Sequence, residues 1–368
     1  MVRLTRAQRQ ARTRAAVLTA ASAEFAEHGF AGAKVDRIAD RAELTRGAVY
    51  SNFASKRALY LAVLLDSVHG QDAPVAAGGS AVPGLADAAE AFARAWLERL
   101  PLAGDPPGSG RLASRSLTGV FEDDPGRVAM AGLAKLEGLL LALALESCPP
   151  ADPGRRVRTA ELILTLLRGA GHLCETAPGS SDPFDVARAC RHLTGLGADD
   201  PWNPPHLPYV AAPRPCREAW TPPPGTTDAI TGRPAGFGDD GLIVVLGTGR
   251  LPAAEEAVRA ARAGDSVTVA LVTDDPAETG ALVRLRITDL AGCLRRAFGP
   301  ALDPPVRLVL DDRAALAAAV GAGTSGDTEA AVRVRAGEIV ARAGGRGAAY
   351  AAATAPAPDE RRTGTEER

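Results

Sequence analysis

Over the first sixty-five residues, apolar and polar positions alternate with a helical period that is interrupted at short intervals. Leu18, Ala21 and Phe25 share one face of a first helix, and His28-Gly29 supplies the glycine that ends it. Val35, Ile38, Ala39 and Ala42 mark a short second helix. Thr45 stands where an N-cap belongs, ahead of a third helix that turns Val49 and Phe53 inward. Ser55 opens a fourth, with Leu59, Val63 and Leu64 buried. The second and third, short and tightly joined, predict a helix-turn-helix unit braced by the first.

From about residue 82 to 196 the pattern stays helical, interrupted by loops such as LAGDPPGSG and CPPADPG. Leu133, Leu136, Leu140 and Leu143 form one apolar seam, and Leu162, Leu166, Gly169 and Leu173 form another. Such stripes suit either the core of the bundle or pairing with a second copy, and periodicity does not choose between them. Residues 201–224 contain nine prolines, which predicts an extended, poorly structured linker.

Beyond the linker the period changes. Residues 242–246, 267–273 and 306–310 are short runs rich in Val and Leu that predict strands, alternating with helical patterns at 252–263, 289–298 and 313–320. Residues 282–287, apolar alternating with Arg, read as a partly exposed extra strand. The expected architecture is therefore mainly α: a helical head (1–65), a helical bundle (66–196), the linker (197–240), a small α/β unit (241–354) and a disordered tail (355–368).

Charge sharpens this division. Residues 1–60 hold eleven Lys/Arg against five Asp/Glu, a net +6, while the whole chain is −2, which leaves −8 for the remainder. A basic end on an acidic body suggests a polyanion-binding module. One detail inside it is out of place. Lys56 and Arg57 directly follow the Ser55 cap, yet a helix start favours anions by about 0.3–1 kcal/mol. An anion that the local sequence does not contain is needed there.

Candidate chemistry elsewhere is thin. Five widely spaced Cys with no C-x-x-C pair suit a reducing compartment rather than a disulfide framework. His172, Cys174 and Glu175 lie close together but do not match a zinc spacing, so no metal is expected. Residues 241–368 contain no His, and the chain shows no nucleophilic triad, Walker loop or paired-acid motif. No enzyme activity and no cofactor are expected. The GTGR after residues 242–246 resembles a strand–glycine turn–helix nucleotide loop only weakly, because the third Gly is absent and Pro252 opens the helix. The longest apolar stretch, 138–145, falls short of the ~18–20 residues of a membrane span. A cytoplasmic, nucleoid-associated protein is expected.

The run TRGAVYSNFASKRALYLAVL, preceded by AEFAEHGF and IAD at matching distances, resembles the DNA-binding domain of TetR family transcriptional regulators over residues 9–65. That resemblance implies a homodimer on a palindromic double-stranded DNA operator, with the third helix of each subunit in the major groove. Arg46, Gly47 and Ala48 then occupy base-facing positions. Thr45, Tyr50 and Asn52 contact the sugar-phosphate backbone, and a phosphate docked by Ser55 and Lys56 is the anion sought at the fourth helix. Arg3, Arg6, Arg9, Arg12 and Arg14 form either a groove-contacting arm or a solvated tail. Two positions depart from the family pattern: Glu43 stands where Gly is common in the turn, and Lys34 where Ser or Thr opens the second helix.

The same resemblance assigns residues 82–196 to binding a small-molecule effector and to dimerisation, with a repressor as the expected outcome. Pocket candidates are Phe92, Trp96, Phe121, Met130 and His172. Dimer candidates are Leu133, Leu136, Leu140, Leu143, Leu162, Leu166 and Leu173. The α/β unit is unusual for the family. It is expected to be an appendage that operator recognition does not need; the alternative is a fused enzyme using GTGR and Asp274-Asp275.

Overall fold

A computed structural model of the chain describes residues 5–69, 83–100, 112–149, 154–197 and 199–356. Helix α1 (Arg6–Gly32) starts in a capping box, in which the Thr5 hydroxyl accepts from the Gln8 amide and the Gln8 side chain accepts from Thr5. It breaks at Gly29, where φ is 65°. Arg6, Arg9, Arg12 and Arg14 belong to this helix rather than to a flexible arm, and Arg3 lies outside the described residues. The Arg14 guanidinium packs 4.3 Å from the centroid of the Phe53 ring and donates to the Asn52 carbonyl at 3.2 Å, tying α1 to the end of the recognition unit.

Helices α2 (Val35–Arg41), α3 (Arg46–Tyr50) and α4 (Lys56–His69) follow. Val17, Phe25, Ile38, Val49, Phe53, Leu59 and Leu64 meet in the core of the head. Glu24 is fully buried and binds the Lys34 amide at 3.0 Å and the Arg37 guanidinium. Burial alone would raise its pKa; the Arg37 and Lys34 hydrogen bonds outweigh that and hold it below the ordinary value. The Lys34 departure is explained here: no side chain caps α2, but the carboxylate of Glu24 takes up the Lys34 amide. Glu43 has φ of 55°, so the turn does require the left-handed backbone that favours glycine, at a cost of about 1 kcal/mol.

The bundle comprises α5 (Leu85–Leu97), α6 (Asp124–Glu146), α7 (Val157–Thr176) and α8 (Pro183–Leu193). Helix α6 is long and apolar enough to cross a membrane, but most of it is buried inside the protein, as befits the central helix of a bundle. This corrects half of the expected dimer surface. Leu133, Leu136, Leu140 and Leu143 are at most 2% exposed and fill the core of this same chain, whereas Leu162 and Leu173 on α7 are 45% and 44% exposed.

The proline-rich stretch is not an unstructured linker. It carries β1 (Arg214–Ala219), the antiparallel edge strand of a six-stranded sheet, and a short β2 (Thr226–Thr227) and β3 (Pro234–Ala235) pair. Prolines favour extended backbone and lack an N–H, which an edge strand tolerates on its outward side, and Pro215 occupies such an edge. The Trp220 indole, buried, donates to the Phe237 carbonyl at 2.6 Å. Buried Asp228 accepts from the amides of Ile230, Thr231 and Leu308, fastening the stretch to the sheet.

The sheet runs β1-β8-β7-β4-β5-β6 and is completed by β4 (Gly241–Gly247), β5 (Ser266–Val272), β6 (Val306–Leu310), β7 (Glu329–Arg335) and β8 (Glu338–Gly344). The β4, β5 and β6 strands are parallel, while β7, β8 and β1 run antiparallel to their neighbours. Period two divides β4: Ile243 and Val245 join a small core under α11 (Ala315–Val320), and Leu242, Val244 and Leu246 face the other way. That second face, covered by α9 (Ala253–Ala260), α10 (Thr279–Phe298) and α12 (Ala348–Thr354), shares one continuous apolar core with the bundle and the head.

Helix α10 overturns the extra strand expected at 282–287. The alternation LVRLRI reads as period two only because α10 is enclosed on several sides, burying Leu282, Val283, Leu285 and Ile287, while Arg284 and Arg286 find carboxylates. It packs on α4, α5 and α6 as well as belonging to the sheet unit. The α/β unit is thereby wedged into the bundle rather than hung from it.

Candidate nucleic-acid interface and the cavity behind it

Helix α3 opens on Thr45, whose hydroxyl accepts from the Ala48 amide at 3.2 Å. Val49 anchors the helix in the core, which leaves Arg46, Gly47 and Tyr50 exposed on the opposite face and Ala48 half-buried. Arg46 reaches 3.3 Å from Asp36 of α2 and sits 5.6 Å from the Tyr50 ring centroid. With its side chain 60% exposed, that ion pair is weak and exchangeable for a base edge. The Asn52 amide donates to the Ala48 carbonyl at 2.9 Å, so it closes α3 instead of pointing outward.

The start of α4 differs from expectation. Ser55 caps the helix, accepting from the Ala58 amide at 3.0 Å, and its hydroxyl donates to the carboxylate of Glu278, 223 residues further on. Arg57 spans Asp123 at 2.6 Å and Glu278 at 3.3 Å, and its guanidinium covers the Phe121 ring. Lys56 turns away, donating to the Ala31 carbonyl at 3.3 Å over the Phe30 ring, and partial burial lowers its pKa. The anion met by Ser55 and Arg57 is thus a carboxylate of this chain, and of the two residues assigned to a DNA phosphate only Ser55 contacts it.

Behind the head, a cavity of about 310 Å³ opens between the bundle and α10. Of the five predicted pocket residues, Trp96, Met130 and His172 line it. Phe92 is fully buried in the bundle core, and Phe121 lies beneath Arg57 against Gly126. The polar lining was missed. Arg99 and Arg115 both bind Asp289, and Arg168 and Arg286 both bind Glu137. Burial brings the Arg99 pKa down to about 10. Burial would raise Glu137, but Arg286 and Arg168 outweigh it and keep the carboxylate ionised. These residues come from five separated segments, so only the Lys56-Arg57 mismatch hinted in advance at distant acids.

The GTGR turn is engaged within the protein. The Gly247 amide donates to the Thr328 carbonyl and the Gly249 amide to the Gly326 carbonyl, each at 2.8 Å. A Cβ on Gly247 would meet the Ser325 carbonyl at 2.2 Å, so close backbone approach accounts for the glycine. Asp275 caps α10 by accepting from the Glu278 and Thr279 amides. Among the described residues no group of His, Cys, Asp and Glu is placed to hold a metal ion.

A helix-turn-helix with a basic, outward-facing third helix defines a DNA-binding head. Residues 17–63 match the model of the family described as "Bacterial regulatory proteins, tetR family". Over 52 residues the chain is 44% identical to the HTH-type transcriptional repressor SCO4008 of Streptomyces coelicolor, a match covering 14% of this chain and 27% of the relative, so the chain spans about a quarter of the length of that curated protein. A transcriptional regulator from Rhodococcus sp. Rha1 is similar at 22% identity, TM-score 0.35, covering 50% of this chain and 94% of that one. NalD of Pseudomonas aeruginosa, the secondary repressor of the MexAB-OprM multidrug efflux pump, is similar at 21% identity, TM-score 0.30, covering 50% and 94%. Over residues 17–63, then, the head of this chain is similar to those of TetR family regulators.

Proposed function

We propose that this protein is a transcriptional repressor that binds a palindromic operator as a homodimer and responds to a small molecule. The observation that carries this reading is the open face of α3, with Arg46, Gly47 and Tyr50 exposed on a head that matches the TetR family over residues 17–63. Arg46 donates to a guanine edge, Gly47 and Ala48 allow close approach, and Thr45 and Tyr50 meet the backbone. Dimerisation uses the outer face of α7, where Leu162 and Leu173 are exposed, Leu166 is half-buried and Gly169 has open space around it. The cavity between the bundle and α10 is the effector site.

Selection of duplexes from a random pool by the full-length protein tests the reading. A recovered site with two half-sites 10–10.5 base pairs apart or a multiple of that, together with a dimer mass by light scattering, is the expected result. Binding without sequence preference would reject it.

A further inference from the structure

We propose that the cavity between α5, α7 and α10 takes an organic anion, a carboxylate or comparable oxyanion on a compact apolar body. This deepens the effector reading above and rests on it. The argument is one of charge. Four guanidiniums, Arg99, Arg115, Arg168 and Arg286, share two carboxylates, Asp289 and Glu137. The side chains of Arg99 and Arg115 are 7% and 9% exposed, so little solvent screens the positive charge that, among the described residues, Asp289 and Glu137 do not balance. Glu175 offsets part of it, but from the exposed rim. The Arg99 Nε is buried without a hydrogen-bond partner, and Arg286 and Arg296 add like charge around it. A buried cation in surplus is costly until an anion joins it, and guanidinium forks bind carboxylate oxygens in pairs.

The other wall selects the body of the ligand. Trp96 lies under the Arg99 guanidinium at 4.0 Å, and Met130, Leu117 and Leu285 complete an apolar side. A volume of about 310 Å³ is near the lower end of ligand cavities, which suits an aromatic or branched acid of modest size. The anion enters beside Asp289 and competes with it for Arg99 and Arg115. Because Asp289 lies on the helix that begins next to Glu278, about 15 Å along its axis, the ligand acts on the contact with Ser55 and Arg57.

The test uses the full-length protein and a panel of carboxylates, including benzoate, phenylacetate and 2-methylbutyrate, each paired with its neutral amide at matched ionic strength. Saturable quenching of Trp96 fluorescence, absent in Trp96→Phe, is expected for at least one acid and not for its amide. Arg99→Gln and Arg168→Gln should each weaken that binding at least tenfold. Both variants leave the shared carboxylate its other arginine, Arg115 for Asp289 and Arg286 for Glu137, so neither strands a buried acid. Equal binding of acid and amide, no saturable response across the panel, or binding unchanged in both variants would overturn the proposal. Operator binding is measured on the same samples without ligand; if it persists in those cases, the anion assignment fails while the regulator reading stands.

Discussion

Helices α3 and α4 begin ten residues apart, at Arg46 and Lys56, and their first turns meet opposite surroundings. The basic residue at the start of α3 stands in solvent, held by an exposed pair with Asp36 and by the Tyr50 ring. The start of α4 is occupied: Ser55 and Arg57 hold Glu278, delivered by α10 from the far end of the chain. In this conformation the proposed base-reading face is open, whereas the proposed phosphate anchor at Ser55 already holds a carboxylate. The sheet unit, through α10, braces the bundle and supplies the carboxylate at the start of α4.

The severest way to break this contrast is to remove α10. A chain ending within 201–224 loses the helix that covers α4, α5 and α6, and should be insoluble or unfolded by circular dichroism. A soluble, operator-binding truncation would instead restore the sheet unit to a dispensable appendage. Glu137→Ala, which leaves Arg168 and Arg286 without their shared carboxylate, should cost about 3–5 kcal/mol in denaturant unfolding of the full chain. The open side of the contrast is tested by Arg46→Ala, expected to lose about 1–3 kcal/mol on the preferred site and to relax one position per half-site in competition binding. Equal loss on every sequence would reduce Arg46 to a phosphate contact.

A smaller effect tests the occupied side. Glu278→Gln keeps the shape and the hydrogen bond but removes the competing charge, so operator affinity should rise by about 1 kcal/mol, more at low salt, with gel-shift titration at two salt concentrations as the measurement. Unchanged affinity would mean that α4 does not dock phosphate. The smallest expected effect lies inside the sheet unit, where Glu256 and Glu329 are buried without a guanidinium bond and burial raises both carboxyl pKa values. Because the folded state holds these protons more tightly than the unfolded chain, stability falls as pH rises from the ordinary carboxyl range through the raised values. Glu256→Gln should therefore gain up to about 1 kcal/mol at pH 8, read by thermal melts. His206, 3.0 Å from Glu256, is lowered by burial and acts in the opposite sense only on acidification, so it is neutral at that pH.

How much was legible beforehand follows the distance over which each interaction acts. The four helices of the head and the caps at Thr45 and Ser55 arise within a few residues, and the periodicity of the chain displayed them; the outward face of α3 came only from the family resemblance, and the left-handed turn at Glu43 was settled by the backbone. The strands β4, β5 and β6 were equally plain, because buried parallel strands are continuous apolar runs. The residues 282–287 were misread because a helix enclosed on several sides loses the one-sided stripe that identifies it. The Leu133–Leu143 seam left its partner open, and only packing placed it in the core of the same chain. Glu278 at Ser55, and four arginines around two acids, join segments up to 223 residues apart. Such pairs carry no local signature, since an isolated Arg or Glu reads as solvated surface until folding removes the water around it.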